Sequence, residues 1–278
     1  MDAGQSNRKI NGDDMMGLPE DWDMPSEDNK KLCKKFGFAE FDFDGTIIPY
    51  RYYFSETDEK IPLVVYLHGA DAVGDDNVLP LAIHDIGTMF ARDEWQKKHP
   101  CSIIAPQYSR RTHWSAPKMR QAILSLINKT TESHDNIDIK RIYIYGYSAG
   151  GVGTLRYVKD NPDLFAGAIS ICGATGKDNL EALTETPIWL IHAADDEIVR
   201  TDFFESGSKL ITHYGSRNIY DAIGKDNEDI KYTEYPKGWM GEHYNVNPHC
   251  SWVVVSDRSH SEFSEWLFSQ SLKKTRDI

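Results

Sequence analysis

One serine of this chain stands between small residues in a pattern that is typical of a nucleophile. The segment Gly146-Tyr147-Ser148-Ala149-Gly150 follows the apolar run 142–145 and precedes residues with helical spacing. This order predicts a strand, a tight turn and a helix, with the serine hydroxyl projecting from the turn. Small neighbours let the strand and the helix approach each other closely at such a turn. The pattern therefore predicts nucleophilic chemistry at Ser148.

A serine hydroxyl is a poor nucleophile unless a histidine removes its proton and an acid orients that histidine. Asp195 and Asp196 follow the apolar run 188–191, where a loop leaves the predicted strand. His243 and His249 lie in a later loop, between the last predicted strand and the last predicted helix. On the residues alone, either aspartate is a candidate acid and either histidine a candidate base. The alternative for each of them is a side chain at the surface with no catalytic role.

The elements that would position these residues follow from the periodicity of the apolar side chains. Short, nearly continuous apolar runs predict parallel strands buried on both faces, at 63–67, 102–105, 142–145, 168–171 and 188–191. Helical spacing is found between or after them, at 79–98, 116–131, 150–160 and 202–214. One more strand is predicted at 232–235 and a last amphipathic helix at 261–272. This alternation is typical of an α/β protein with a mostly parallel sheet covered by helices on both sides.

The N-terminal part of the chain has a different pattern. Aromatic-rich segments at 36–43 and 47–54 flank the turn dipeptide Asp44-Gly45, which predicts an antiparallel hairpin. Residues 1–35 are polar and rich in turn formers, and they are expected to form a loosely attached arm. No Pro- or Ser-rich linker divides the rest, so residues 36–278 are predicted to form one domain.

Composition narrows the classes of function. The 278 residues include 31 Lys+Arg and 43 Asp+Glu, for a formal net charge of −12. Such a chain has no general attraction for phosphate backbones or anionic lipid, so neither nucleic acid nor a membrane surface is an expected partner. A small-molecule substrate and self-association into a homo-oligomer both stay open.

The apolar and cysteine patterns indicate the environment of the protein. The longest apolar run, 61–67, is far shorter than the roughly 20 residues of a transmembrane helix. The first 20 residues carry several acidic groups and no apolar signal core, which favours a cytoplasmic location. The four cysteines are widely spaced, which favours free thiols over a zinc ribbon or a disulfide framework.

Taken in order, these motifs resemble the α/β-hydrolase superfamily. The resemblance is to small esterases related to feruloyl and acetylxylan esterases, dienelactone hydrolase and polyhydroxybutyrate-depolymerase-like enzymes. It runs from about residue 38 to residue 270 and includes Pro62-Leu-Val-Val-Tyr-Leu-His-Gly69 and Pro187-Ile-Trp-Leu-Ile-His192. It implies an α/β-hydrolase fold, with a doubly wound sheet of about eight strands and little or no cap. It also implies serine-dependent hydrolysis of carboxylic esters, with no metal or organic cofactor.

The resemblance also assigns roles. Asp196 is favoured as the acid because Asp-x-x-Val, here ending at Val199, is the usual setting of the acid in the superfamily. His249 is favoured as the base because His249-Cys250-Ser251-Trp252 resembles the His-x-Ser-Trp ending of family members. The backbone amides of Ala70, after His68-Gly69, and of Ala149, after the nucleophile, are the expected oxyanion donors.

Four residues are predicted to contact the substrate. The family commonly has His-Gly-x-Gly at the oxyanion loop, whereas this chain has Asp71 at the second glycine position. A carboxylate there would disfavour anionic acids and could bind a hydroxyl or a cation of the substrate. Tyr147, Trp114 and Trp239 are the other candidates, although Trp114 is equally well explained as a core residue.

Other functions remain as alternatives. A peptidase or a thioesterase uses the same three catalytic groups, and a non-catalytic ligand-binding protein can share the fold. The segment 41–47 also matches the Asp-x-Asp-Gly-Thr motif of haloacid-dehalogenase-type phosphatases, with Asp42 as nucleophile and Asp44 beside a magnesium ion. That motif requires a buried strand before it, whereas residues 37–40 alternate and include a charge. A serine esterase is therefore the favoured interpretation.

Overall fold

The computed structural model of the chain describes residues 27–206 and 211–272. In chain order, the strands of these residues are β1 Gly37–Phe43, β2 Thr46–Tyr53, β3 Ile61–Leu67, β4 Ser102–Pro106, β5 Ile137–Tyr147, β6 Gly167–Ile171, β7 Ala174–Gly176, β8 Ile188–Ala193, β9 Phe203–Ser206, β10 Ile211–Gly215 and β11 Ile230–Tyr235. The α-helices are α1 Glu27–Cys33, α2 Leu79–Ala82, α3 Asp93–Lys98, α4 Pro117–Ser133, α5 Ala149–Asp160, α6 Ser216–Ile223, α7 Trp239–Tyr244, α8 Trp252–Ser256 and α9 Glu262–Phe268.

The main sheet has eight strands in the order β1-β2-β4-β3-β5-β6-β8-β11. The strands β1 and β2 form the predicted antiparallel hairpin, and β2 also runs antiparallel to β4. All other neighbours in this sheet are parallel. Each apolar run that predicted a strand lies in one of these strands, and the α/β-hydrolase fold is confirmed.

Both faces of the sheet are covered. Alternate side chains of β3 belong to different apolar clusters, with Val64 and Tyr66 in one and Leu63 and Val65 in the other. The strands β3, β4 and β6 are buried along their whole length. Burial on two faces explains why their sequences are continuous apolar runs rather than alternating ones.

The helix predicted at 202–214 is wrong. Its described residues form β9 and β10, which pair antiparallel, and β10 also pairs with β7 to make a second, three-stranded sheet. The segment is rich in β-branched and aromatic side chains, which suit a sheet better than a helix. The strand β10 has β7 as a partner from a distant part of the chain, and the local pattern of residues 202–214 does not reveal this pairing.

The long helix predicted at 79–98 is also wrong in part, because the segment is broken into short pieces. It contains α2, two single 3₁₀ turns at 85–87 and 89–91, and α3. His84 has an extended backbone with φ −144° and ψ 140°, and Arg92 is extended as well. Gly87 lies so close to Pro80 that a Cβ would be 2.6 Å from the carbonyl oxygen of that proline. Tertiary packing therefore overrides helical spacing here.

The last part of the predicted arm carries a helix. The buried Asn29 and Leu32 lie on α1, and Asn29 donates from Nδ2 to the carbonyl oxygen of Leu81 at 2.9 Å. Residues 1–26 lie outside the described residues, so the extent of a loose arm stays a prediction.

Within residues 27–206 and 211–272, none of the helices has both the length and the apolar character needed to cross a bilayer.

Candidate active site

Ser148 occupies a sharp turn between β5 and α5. Its backbone has φ 53° and ψ −120°, a region that side-chain-bearing residues rarely adopt and that stores strain. Its N–H donates to the carbonyl oxygen of Ile171 at 2.9 Å, which fixes the turn against β6. A Cβ on Gly150 would lie 1.9 Å from the carbonyl oxygen of Leu67. The glycine after the serine is therefore required by the close approach of α5 to the end of β3.

The side chains of Ser148, His249 and Asp196 form a continuous chain of hydrogen bonds. His249 Nε2 lies 2.9 Å from Ser148 Oγ, and His249 Nδ1 lies 2.7 Å from Asp196 Oδ2. These contacts join residues that are 101 and 53 positions apart in the sequence. His249 sits in a 3₁₀ turn at 248–250, where its N–H donates to Asn247 Oδ1.

The structure separates the two candidate acids and the two candidate bases. Asp195 turns away from His249, and its Oδ2 accepts from the N–H of Gly238 at 2.9 Å. His243 lies exposed on α7, where its ring stacks on Trp239. Asp196 and His249 are the pair that meets Ser148.

Asp196 is held by donors on both carboxylate oxygens. Its Oδ1 accepts from the N–H groups of Ile198 and Val199 at 2.9 and 3.0 Å, so the Asp-x-x-Val spacing lets the acid cap its own loop. Burial by itself raises the pKa of Asp196, but hydrogen bonds from His192 and His249 lower it by more, and the net pKa lies well below the usual range. Asp196 is therefore an anion at neutral pH.

His192 contacts Asp196 and was not among the residues predicted for the site. It is completely buried, with Nε2 at 2.7 Å from the carbonyl oxygen of Val199 and at 3.2 Å from Asp196 Oδ2. Since both neighbours of Nε2 are acceptors, we assign the ring proton to Nε2, and Nδ1 then accepts from Ser216 Oγ at 2.8 Å. The sequence feature that could have indicated this contact is the position of His192 near the end of β8, four residues before Asp196.

Two neighbours of His249 raise the pKa of its imidazole. Burial lowers the pKa of His249, but the Cys172 sulfur and the Asp196 carboxylate raise it, and the net shift is upward. Cys172 also accepts from the N–H of Ser148 through Sγ at 3.2 Å. The sequence predicts no more than a free thiol for this cysteine, because its nearness to Ser148 arises from the pairing of β5 with β6.

Backbone amides of two loops lie at the same end of the sheet as Ser148. Ala149 is the first residue of α5, and Ala70 is the first residue of a 3₁₀ turn at 70–72 that follows β3. Amides at the start of a helix have no acceptor within that helix, so they are free to bind an anion. The contact between Gly150 and Leu67 brings these two loops together.

Asp71 and Tyr147 contact each other at the predicted oxyanion loop. Tyr147 donates from its hydroxyl to Asp71 Oδ1 at 2.6 Å, and His84 Nε2 lies 2.7 Å from Asp71 Oδ2. Tyr147 is completely buried, so neither its position nor the occupied Asp71 oxygens suit the predicted contact with a substrate. This arrangement instead fixes the loop. His84 was missed because it lies within the predicted long helix, and its extended backbone is what brings it to Asp71.

The two predicted tryptophan contacts differ in exposure. Trp114 is only 1% exposed, and its indole N–H donates to the carbonyl oxygen of His68 at 3.0 Å, so it braces the loop from within the core and offers no surface to a substrate. Trp239 is partly buried and stacks on Tyr235 and His243. Trp239 therefore stays a candidate for contact with a substrate, whereas Trp114 is too deeply buried for the predicted contact.

A groove of about 800 Å³ runs beside the loop that carries the acid. Its lining includes Asp195, Ile198, Arg217, Lys237 and Pro248. Ile198 is 64% exposed, which is unusual for a large apolar side chain. The groove offers an apolar contact and charges of both signs next to the three hydrogen-bonded side chains.

The positions of Asp42 and Asp44 do not support the phosphatase alternative. Asp42 is exposed on β1, an edge strand, and its Oδ1 accepts from the N–H of Gly45 within the hairpin turn. Asp44 occupies that turn with φ 48°. Both residues therefore belong to an exposed turn rather than to a buried phosphate site.

The strand order and the serine turn define an α/β-hydrolase, and comparison with known proteins gives the family. Residues 53–227 match the family of phospholipases and carboxylesterases, and the chain belongs to that family. No curated protein sequence matched the chain.

Solved structures show the same fold. A thermostable esterase is 35% identical with a TM-score of 0.76, and the match covers 87% of this chain and 64% of that one. The chain therefore spans less than two thirds of that esterase. An acylaminoacyl peptidase from Pyrococcus horikoshii is 18% identical with a TM-score of 0.60, over 88% of this chain and 43% of that one. Est1E from Butyrivibrio proteoclasticus is 14% identical with a TM-score of 0.57, over 84% of this chain and 99% of that one.

Proposed function

We propose that this protein is a serine carboxylesterase that hydrolyses small or medium carboxylic esters through an acyl-enzyme on Ser148. The observation that carries the proposal is the continuous chain of hydrogen bonds from Ser148 through His249 to Asp196. Membership of the phospholipase and carboxylesterase family and the 35% identity to a thermostable esterase support the same activity.

Each group then has one role. His249 Nε2 takes the proton of Ser148 as Oγ attacks the ester carbonyl, and the resulting imidazolium is stabilised by Asp196. The imidazolium gives its proton to the departing alcohol. Water then attacks the acyl-enzyme, with His249 again as the base, and the acid product leaves with Ser148 restored.

The negative charge on the tetrahedral intermediate also requires donors. The amides of Ala70 and Ala149 are proposed to supply them, since both begin helical turns at the end of the sheet where Ser148 lies. Asp71, Tyr147 and His84 would hold the Ala70 loop in position rather than contact the substrate. Asp71 and Tyr147 thus keep a place in the site with a role that differs from the predicted one.

The decisive test is Ser148→Ala, assayed on short p-nitrophenyl esters. We expect kcat to fall by about 10⁶-fold, because the nucleophile is lost. Ser133→Ala, in the exposed last turn of α4, is the matched control and should retain full activity. Circular dichroism of both variants checks the fold. Turnover by Ser148→Ala at the wild-type rate would refute the proposal.

The substrate class is resolved by a screen of acetyl, butyryl, octanoyl and feruloyl esters, a thioester and a peptide on the purified protein. The exposed Ile198 and the polar remainder of the groove favour an ester with a short apolar group and a polar part. A faster reaction with the thioester or the peptide would assign the same site to that chemistry. A cytoplasmic location, independence from cofactors and the absence of nucleic-acid partners stay predictions from the sequence.

A further inference from the structure

Cys172 is held in a strained position beside the three hydrogen-bonded side chains. It directly follows β6, is completely buried, and has φ 40°, a conformation that residues with side chains adopt at a cost. Its Sγ accepts from the N–H of Ser148 at 3.2 Å. The thiol is therefore held beside the backbone of Ser148, at the border of the apolar cluster to which Cys172 also belongs.

This placement creates a cluster of three metal-binding groups. The Cys172 sulfur, a nitrogen of His249 and a carboxylate oxygen of Asp196 all lie within 4.8 Å of one another. Ligand atoms around a tetrahedral zinc ion stand about 3–4 Å apart, since the metal–ligand bonds are about 2.0–2.3 Å long. Small side-chain movements would therefore bring the three groups into a coordination shell, with a fourth position for water or hydroxide.

We propose that Cys172, His249 and Asp196 form an inhibitory site for a thiophilic divalent cation, with Zn²⁺ as the natural candidate. This inference rests on the proposed function, because it requires His249 to be the base. Thiolate, imidazole and carboxylate together are a ligand set that zinc favours. The thiol releases its proton to solvent on binding, and the two negative charges of Cys172 and Asp196 then balance the charge of the ion in this buried position.

Either mode of imidazole binding removes the base. If the ion takes His249 Nε2, it occupies the lone pair that would receive the proton of Ser148. If the ion takes Nδ1, the remaining ring proton resides on Nε2, which then has no free lone pair. In both cases Ser148 Oγ cannot be activated, so occupancy of the site and turnover exclude each other.

The chemistry also predicts selectivity and a route of entry. Magnesium prefers oxygen ligands and an octahedral shell, so it should not bind a site with a thiolate and an imidazole. Ser148 is partly exposed, whereas Cys172 is buried. The ion must therefore enter past the serine hydroxyl, by the route that a substrate would take.

The first test measures binding without turnover, using Cd²⁺ as a probe because its thiolate complexes absorb in the ultraviolet. The wild-type protein should develop this band on titration, and Cys172→Ala, Cys172→Ser and His249→Ala should bind at least about tenfold more weakly, since each loses a ligand. Cys33→Ala is the matched control: Cys33 is a free thiol on α1 and is not one of the three clustered groups. An unchanged cadmium affinity in the Cys172 variants would overturn the inference.

The second test measures inhibition of ester hydrolysis. Zn²⁺ should inhibit the wild type and Cys33→Ala reversibly, with activity restored by EDTA, while Mg²⁺ should not inhibit. Cys172→Ala and Cys172→Ser should require at least about tenfold more Zn²⁺ for the same inhibition. Equal inhibition of wild type and both variants would overturn the inference. If no ester is hydrolysed but cadmium binding needs Cys172 and His249, the metal site stands and the proposed function fails.

Discussion

At the scale of single residues, the carboxylate of Asp196 accepts hydrogen bonds from three residues besides His249. Asp196 receives two backbone N–H groups on one oxygen and two imidazoles on the other. Such donors stabilise the charged form and fix the orientation of the carboxylate. The imidazole of His192 in turn contacts Ser216, so the beginning of α6 is connected to the acid through one buried side chain.

This arrangement predicts different effects for the two neighbouring aspartates. Asp196→Asn should lower kcat by about 10⁴-fold, because an amide cannot hold His249 in the tautomer that accepts the serine proton. Asp195→Asn should keep activity and lose about 1 kcal/mol of stability at most, because only a hydrogen bond from Gly238 is altered. Steady-state kinetics on a p-nitrophenyl ester measures both. A larger loss of activity in Asp195→Asn would show that the acid is assigned wrongly.

The lowered pKa of Asp196 also predicts how stability depends on pH. A free aspartate has a pKa of about 4, and the pKa of Asp196 in the folded protein lies below it. The carboxylate therefore stabilises the fold above about pH 4, and this contribution is lost as the pH falls toward the folded pKa. The free energy of unfolding, measured in urea from pH 7 down to pH 3, should decline less steeply for Asp196→Asn than for the wild type. Asp195→Asn is the control, and equal declines for all three proteins would contradict the prediction.

At the scale of elements, the serine turn depends on the contact between α5 and the end of β3. Gly150 approaches the carbonyl oxygen of Leu67 so closely that no side chain fits between them. The obstacle is backbone, which cannot rotate away as a flexible side chain could. The distance between the Ser148 turn and the Ala70 loop is set by this contact.

The substitution Gly150→Ala tests the contact. It should destabilise the protein by about 1–3 kcal/mol and reduce kcat, because α5 and the Ala149 amide must move away from β3. Gly241→Ala is the matched control, since a Cβ there meets nothing within 4 Å on α7. The control should be neutral or more stable by up to about 1 kcal/mol. Thermal unfolding and steady-state kinetics measure the stability and kcat of both variants. Equal stability and equal kcat of Gly150→Ala and Gly241→Ala would contradict the expected crowding at residue 150.

At the scale of the whole molecule, the site is assembled at one edge of the sheet. Ala70, Ser148, Cys172 and Asp196 follow the parallel strands β3, β5, β6 and β8, respectively. Parallel strands end at the same edge, so residues far apart in the chain converge there. His249 reaches this edge from the segment between α7 and α8.

Attachment of the N-terminal helix is the prediction at this scale. Asn29→Ala should lower the free energy of unfolding by about 1–3 kcal/mol, because the buried Leu81 carbonyl loses a donor and the Thr88 hydroxyl loses one of its two acceptors. Activity should be unchanged. Lys31→Ala, on the exposed side of α1, is the control and should be neutral. A neutral Asn29→Ala in denaturant titrations would show that α1 adds no stability to the domain.

Local features of the sequence determined the hairpin, the buried strands, α4, α5 and the serine turn. The reason is physical. Strands buried on both faces must be apolar throughout, and a tight turn between strand and helix needs small residues whatever lies elsewhere. Resemblance to a family then favoured Asp196 and His249, where residue types alone left two candidates for each role.

Only the tertiary structure decided which side chains meet. The choice of Asp196 over Asp195, the occupied oxygens of Asp71 and the nearness of Cys172 to His249 depend on contacts between segments distant in the chain. The failed helix at 202–214 has the same cause, since β10 pairs with β7, and β8 and β9 lie between these two strands in the chain. The periodicity of a segment indicates how that segment is buried, but it does not indicate which other segment it contacts. In this protein the proposed chemistry depends on those contacts.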